Sequence, residues 1–226
     1  MCRDQVFEPF IVNTLVHFIK PDSTFFDVGA NLGMMSLPVL KACPASRVVS
    51  FEPSPSSLPY LRKTLRESSY RARWTVVEKA LWQERGEMAF GLQSIRGWDF
   101  MYEHLSPAGT APEGRSVRVP VSLLDAEWAS LGEPPVSLIK IDVEGAEAGV
   151  LAGGTKLLQK CRPTIVLEWY EGYLKRFGTK PDQLLAFARD FGYSAHALPT
   201  GVPVSEPATL EIQMVLCQNF VLVPKL

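Results

Sequence analysis

The stretch Phe25-Phe26-Asp27-Val28-Gly29-Ala30-Asn31-Leu32-Gly33 decides how this chain is read. Thr24 to Val28 is rich in β-branched and aromatic residues, which suits a buried strand. Gly29 and Gly33 bracket a turn, and an apolar run able to form a helix follows. A strand that passes through a glycine turn into a helix brings backbone N–H groups to the carboxyl edge of a sheet, where α/β folds bind ligands. Glycine at Gly29 and Gly33 allows positive φ and a close approach of ligand to backbone. No Gly-Lys-Ser/Thr follows, so the turn is not a Walker phosphate loop, and it does not spell G-x-G-x-x-G. Asp27 stands beside the first glycine, where it repels a pyrophosphate and suits an ammonium. S-adenosylmethionine carries an ammonium, a ribose and a sulfonium, and no phosphate.

Outward from this turn the pattern alternates. Residues 5–19 carry apolar groups at helical spacing, and the first strand follows at about 24–28. The next helix, at about 33–42, contains Pro38, which predicts a kink or a late start. A second strand is expected at about 47–51, then a helix through residue 68 capped by Ser54 or Ser57, then a third strand at about 74–78. This order is half of a doubly wound α/β sheet. Residues 86–92 and 116–122 alternate like two extra strands. Between them runs an irregular stretch containing Trp98, Phe100, Met101, Tyr102 and His104, long enough to read as a functional loop. Further strands are expected at about 136–141, 164–167, 193–198 and 218–223, with a helix at about 181–191 capped near Thr179. The last two strands are read as joined without a helix, which favours an antiparallel pair.

Composition narrows the classes. The chain has 226 residues, 46% of them apolar, and a formal net charge of −1. That length fits one α/β domain able to bury roughly 70% of its unfolded surface. Near-neutral charge argues against a nucleic-acid partner. Cys2, Cys43, Cys161 and Cys217 show no C-x-x-C pairing, which fits a reducing, cytoplasmic compartment. No apolar run approaches 18 residues and no secretory h-region is seen, so no membrane is expected as a partner.

Four expected strand ends carry acids: Asp27, Glu52, Asp142 and Glu168. Acids at one sheet edge cost desolvation unless they meet a partner, so together they indicate a ligand site. Glu52, after the second strand, is placed to accept hydrogen bonds from both hydroxyls of a ribose lying over the glycine turn. Asp142 and Glu168 end neighbouring strands; Asp142 is read as a general base or, alternatively, the two are read as ligands of a divalent cation such as Mg²⁺, with Glu144 completing the set. Glu147 is read as a partner of the N-terminus of the helix that it opens. Of His17, His104 and His196, only His104 lies in the irregular segment, where it can reach a substrate.

The segments Asp27-Val-Gly-Ala-Asn-Leu-Gly33, Phe51-Glu52-Pro53, Ala80-Leu81 and Ile139-Lys-Ile-Asp-Val-Glu-Gly-Ala-Glu147 resemble the FkbM-type S-adenosylmethionine-dependent methyltransferases. The Leu123-Leu124-Asp125 and Glu168-Trp169 elements are similar too, so the resemblance runs from about residue 6 to 172. It implies a class I methyltransferase (Rossmann-like) three-layer sandwich, with a mostly parallel seven-stranded sheet in the order 3-2-1-4-5-7-6, the last strand antiparallel, and an extra β-hairpin/lid insertion. No repeat or linker interrupts the chain, so one methyltransferase domain over 1–226 is expected, with an N-terminal helix in 1–22 and the hairpin and lid insertion at 86–122. The resemblance also implies O-methylation of a hydroxyl on a sugar, polyketide or other small molecule. Carried over by position, Gly29, Asn31 and Gly33 line the methionine and ribose, Glu52 holds the ribose, Ala80 and Leu81 flank the adenine, and Asp142 and Glu144 lie near the reacting methyl. Pro38 and residues 94–115 depart from the family pattern, which leaves the acceptor open. The oligomeric state is open as well, a homodimer being one arrangement. Two other readings stay in view: a methyltransferase-like binding module without turnover, and a nicotinamide-dependent oxidoreductase, against which the missing third glycine counts.

Overall fold

The computed structural model describes residues 8–92, 103–107 and 114–225. The expected aromatic wall of Trp98, Phe100, Met101 and Tyr102 lies outside them, as does most of the segment 94–115. The first half of the chain forms α1 (Pro9–Phe18), β1 (Thr24–Val28), α2 (Ser36–Ala42), β2 (Arg47–Phe51), α3 (Leu58–Glu67) and β3 (Trp74–Val77). Next come β4 (Ala80–Leu81), β5 (Gly86–Leu92), β6 (His104–Leu105), β7 (Arg115–Ser122), α4 (Leu124–Ser130) and β8 (Val136–Ile141). The remainder is α5 (Glu147–Ala152), α6 (Thr155–Cys161), β9 (Thr164–Glu168), α7 (Glu171–Leu174), α8 (Gln183–Asp190), β10 (Tyr193–Leu198), β11 (Pro203–Val204), α9 (Pro207–Leu216) and β12 (Asn219–Pro224).

The large sheet has the order β11-β10-β12-β9-β8-β1-β2-β3. Strands β3, β2, β1, β8 and β9 pair in parallel, and β12 runs antiparallel to both β9 and β10. This is the expected 3-2-1-4-5-7-6 order with one added edge strand, β11. The order places β1 at the switch point, where its two neighbours β2 and β8 are reached by crossovers on opposite sides. The insertion forms a second sheet in the order β4-β7-β5-β6, in which β5 and β7 pair antiparallel from Gly86↔Val121 to Leu92↔Arg115.

All five residues of β1 are buried, because the sheet is covered on both faces. Alternation assigns them to two layers. Phe25 packs with Ile11 and Leu15 of α1 and with Val39 and Leu40 of α2. Phe26 and Val28 face the opposite layer, with Val150, Leu157 and Leu184. Burying each such side chain contributes about 1.5–3 kcal/mol.

Helix α2 starts late, at Ser36, so Pro38 falls in its first turn and no kink is needed. Helix α3 has Ser57 at its N-cap position, and it is Ser54 Oγ that accepts the N–H groups of Ser56 and Ser57, each at 3.0 Å. Helix α8 has Asp182 rather than Thr179 at its N-cap position. One expectation is overturned: α9 and β11 lie between β10 and β12, so that connection is not free of helix. The antiparallel pairing holds all the same. Residues 207–216 escaped notice because their apolar groups do not gather on one face; Leu210 is buried while Ile212, Val215 and Leu216 are exposed.

The strand ends at the switch point come unusually close. Gly29 has φ +79°, and a Cβ there would stand 1.9 Å from the Asp142 carbonyl oxygen. Gly29→Ala adds left-handed strain to that clash and is expected to cost at least about 2 kcal/mol. Thermal unfolding should report this as a drop of roughly 4–8 °C; an unchanged melting temperature would show that the two strand ends can move apart at little cost.

Candidate functional site

At the carboxyl ends of β1, β2 and β8 lies a cavity of about 460 Å³. Its floor is the glycine turn, where Gly29 and Gly33 have φ of +79° and +83° and Asn31 has φ +49°. Phe51 O accepts the N–H groups of both Gly29 (3.0 Å) and Ala30 (3.1 Å), which ties the turn to β2. Asn31 N–H then donates to Glu52 Oε2 at 2.7 Å, and Ser54 N–H donates to Glu52 Oε1 at 2.8 Å. Glu52 is thereby aimed by the backbone on both sides while lining the cavity. Burial pushes its carboxyl up to about 7 and Glu103 adds to the rise, while the backbone donors and Lys140 oppose it.

Most of the expected residues converge here. Gly29, Asn31, Glu52, Ala80, Leu81, His104, Asp142, Glu144 and Glu168 all line the cavity. Ala80 and Leu81 arrive from the small sheet rather than from an extension of β3. Gly33 lies behind the wall, where a Cβ would stand 2.7 Å from the Trp74 ring. Asp27 is also off the wall. As a β1 residue of the same parity as Phe25 it faces the α2 layer, fully buried, and its Oδ2 accepts a hydrogen bond from Ser36 Oγ at 2.6 Å. Ser36 Oγ is 2.8 Å from Ser50 Oγ, which also accepts the Trp74 Nε1–H. Burial raises the Asp27 carboxyl, and Lys140 and Ser36 partly offset that.

The opposite wall is acidic. Asp142, Glu144 and Glu168 each offer an oxygen, all within 4.8 Å of one another. Glu144 occupies a left-handed position at φ +57°, in the loop before α5 rather than within the helix. Burial and then Asp142 lift Glu144 to about 8; burial, Asp142 and Glu144 lift Glu168 to about 9. Among the described residues, the Oε2 atoms of Glu144 and Glu168 have no hydrogen-bond partner. Glu147 behaves as a loop clamp: its Oε1 accepts the N–H groups of Val143 and Gly145, both at 3.1 Å. His17 and His196 lie away from the cavity, and His196 instead contacts Gly201 O and Ser194 Oγ.

Several residues at the site were not anticipated. Lys140 is 7% exposed and its Nζ is 2.9 Å from Asp142 Oδ2. Burial pulls its pKa down, but Asp142 and Asp27 outweigh that and hold it above the ordinary lysine value. Its signal was in plain view, a lysine within the apolar run Val136–Ile141. Glu8, Phe90, Glu103, Tyr173 and Gln218 also line the cavity, brought in by contacts that no local pattern encodes. A larger, more open hollow of about 1070 Å³ beside α1 and α9 is lined mostly by apolar side chains, with Glu8, Glu171 and Glu211 among them.

Comparison with known proteins places the chain in a family. The family model described as "Methyltransferase FkbM domain" matches residues 27–195. The chain is 30% identical over 169 residues to the 2-O-methyltransferase NoeI of Sinorhizobium fredii, covering 69% of this chain and 68% of that protein. It is 30% identical over 171 residues to the hexuronic acid methyltransferase AglP of Haloferax volcanii, covering 73% of this chain and 63% of that protein. Among solved structures, the methyltransferase FkbM from Methylobacillus flagellatus superposes with a TM-score of 0.55 at 16% identity, over 90% of this chain and 44% of that one. This chain therefore spans less than half of that solved protein and under two thirds of the archaeal relative.

The raised carboxyls make stability depend on pH. Glu52, Glu147, Glu144 and Glu168 sit at about 7, 7, 8 and 9 against an ordinary 4.5. Above the ordinary value the folded protein keeps protons that the unfolded chain releases, so stability falls as pH rises. The melting temperature of the protein without added ligand is expected to decline steadily between about pH 5 and pH 9. A rise across that window would mean that these carboxyls are ionised in the folded state at little cost.

Proposed function

Because the chain belongs to the FkbM methyltransferase family, we propose that it transfers a methyl group from S-adenosylmethionine to a hydroxyl oxygen of a sugar or another small hydroxylated acceptor. The observation that carries this reading is the single cavity in which Glu52, aimed by the glycine turn, faces the wall of Asp142, Glu144 and Glu168. The family and the relatives' names support methyl transfer; the 2-O-methyltransferase of one name supports an oxygen acceptor, and the hexuronic acid of the other supports a sugar.

The lining fits such a cofactor. Glu52 offers a buried, backbone-oriented carboxyl to ribose hydroxyls, and Ala80, Leu81 and Phe90 offer apolar surface to adenine. The absence of a pyrophosphate loop counts against a dinucleotide. When bound, S-adenosylmethionine supplies an electrophilic methyl group on a sulfonium. The work of this chain's residues is alignment, which in well-oriented systems contributes up to roughly 7–11 kcal/mol. Lys140 fixes Asp142 through Oδ2, and Asp142 takes the proton of the acceptor hydroxyl as that oxygen attacks. Glu144 flanks Asp142, and His104 reaches the acceptor from the small sheet. A second reading is favoured by the spacing of the carboxylates: Asp142, Glu144 and Glu168 take a divalent cation, which would relieve their mutual repulsion and acidify the acceptor hydroxyl.

Calorimetric titration with S-adenosylmethionine is expected to show Glu52→Ala weakened by on the order of tenfold or more; unchanged affinity would remove Glu52 from the site. With an acceptor found by screening hydroxylated sugars for a gain of one methyl, Asp142→Asn is expected to lower kcat by about 10²–10⁴-fold. Activity that survives EDTA undiminished selects the general base over the cation, whereas loss with EDTA and recovery with Mg²⁺ selects the cation.

A further inference from the structure

We propose that Glu103 is a positioning residue for the cofactor: it clasps the β6 side of the small sheet to the loop after β2 and so holds Ser54 in the place from which its N–H orients Glu52. The inference rests on the cofactor reading above.

Glu103 directly precedes β6, the edge strand of the insertion, which pairs with β5 through Phe90↔Leu105 and Gly91↔His104. Its side chain leaves that sheet and reaches the loop between β2 and α3. There the carboxylate accepts hydrogen bonds from Ser54 Oγ and, at 2.8 Å, from Ser56 Oγ. Ser54 is 2% exposed and is the hub of the loop. Its N–H donates to Glu52 Oε1 at 2.8 Å, its hydroxyl hydrogen goes to Glu103, and its Oγ accepts the N–H groups of Ser56 and Ser57. One serine therefore connects two buried carboxylates that line the same cavity, one from each sheet.

A buried carboxylate is costly unless donors satisfy it. Two facing each other are more so, and yet Glu103 is only 9% exposed and Glu52 5%. If the need were only to hold β6 down, an apolar contact would serve without placing a second negative charge beside the ribose carboxyl. What the charge adds is strong, directional acceptance of two hydroxyls, and that fixes the hydrogen-bond geometry of the loop. It also has an electrostatic signature. The groups facing Glu52 are Glu103 from the small sheet, Lys140 from β8, and the N–H groups of Asn31 and Ser54; of these Glu103 alone raises its pKa.

The test is calorimetric titration of the whole chain with S-adenosylmethionine, and with its demethylated product, between pH 6 and pH 9. At pH 8.5, where Glu52 is ionised, Glu103→Ala is expected to raise Kd about tenfold. Glu103→Gln, whose amide oxygen still accepts a serine hydroxyl, should recover most of that. Removing the charge should also let Glu52 stay ionised to lower pH, so the loss of affinity on acidification sets in at lower pH for Glu103→Gln than for the unaltered protein. A clasp that merely stabilised the fold would leave that acid limb where it is. Ser56→Ala, which deletes one hydroxyl and no charge, should weaken binding without moving the acid limb, and it serves as the second variant if Glu103→Ala does not fold. An unchanged Kd for Glu103→Ala at pH 8.5, with an identical acid limb for Glu103→Gln and the unaltered protein, would overturn the inference alone. Absence of binding by the unaltered protein would overturn the cofactor reading and this inference with it.

Discussion

One ammonium group, that of Lys140, holds the site together electrostatically. The parallel register sets Lys140 opposite Asp27 on β1, and Asp142 follows two residues later on the same side of the strand. Glu8, Glu52 and Glu168 also feel its charge. A cation this buried is tolerated only because carboxylates surround it, and the carboxylates are tolerated partly because it is there. The same charge stands at the junction of two jobs, since Asp27 ties α2 to the sheet through Ser36 whereas Asp142 faces the cavity.

How far the sequence discloses this depends on whether a feature is local. Strands β1, β2 and β8 have the bounds expected from their apolar runs, because each is a short buried segment closed by an acid or glycine at the sheet edge. The glycine turn and the acids of the strand ends were legible for the same reason. Asp27 was misplaced relative to the cavity because a fully buried strand gives no sign of which face a polar residue takes. Helix α9 is not legible in the sequence because it leaves Ile212, Val215 and Leu216 outside and so lacks an amphipathic stripe. Glu103 carries no local signal: the two serines that it holds are 47 and 49 positions away in the chain.

The two sheets contribute to the cavity in different ways. The large sheet supplies charge and backbone donors from strand ends whose spacing is set by parallel pairing. The small sheet supplies apolar surface through Ala80, Leu81 and Phe90, and polar groups through Glu103 and His104. On the proposed function the reacting groups belong to the large sheet, while the inserted sheet lines part of the same cavity and can vary in sequence without disturbing the core packed around β1.

The outermost strand of the large sheet has a bearing on solubility. A sheet rim with unpaired N–H and C=O groups invites a strand from another molecule, and long flat rims seed aggregates. Here the rim beyond β10 is closed by β11, which is two residues long and begins with Pro203, a residue with no N–H to offer. At this one of its two margins the eight-stranded sheet thus ends in a two-residue strand that gives a neighbouring chain little ladder to extend.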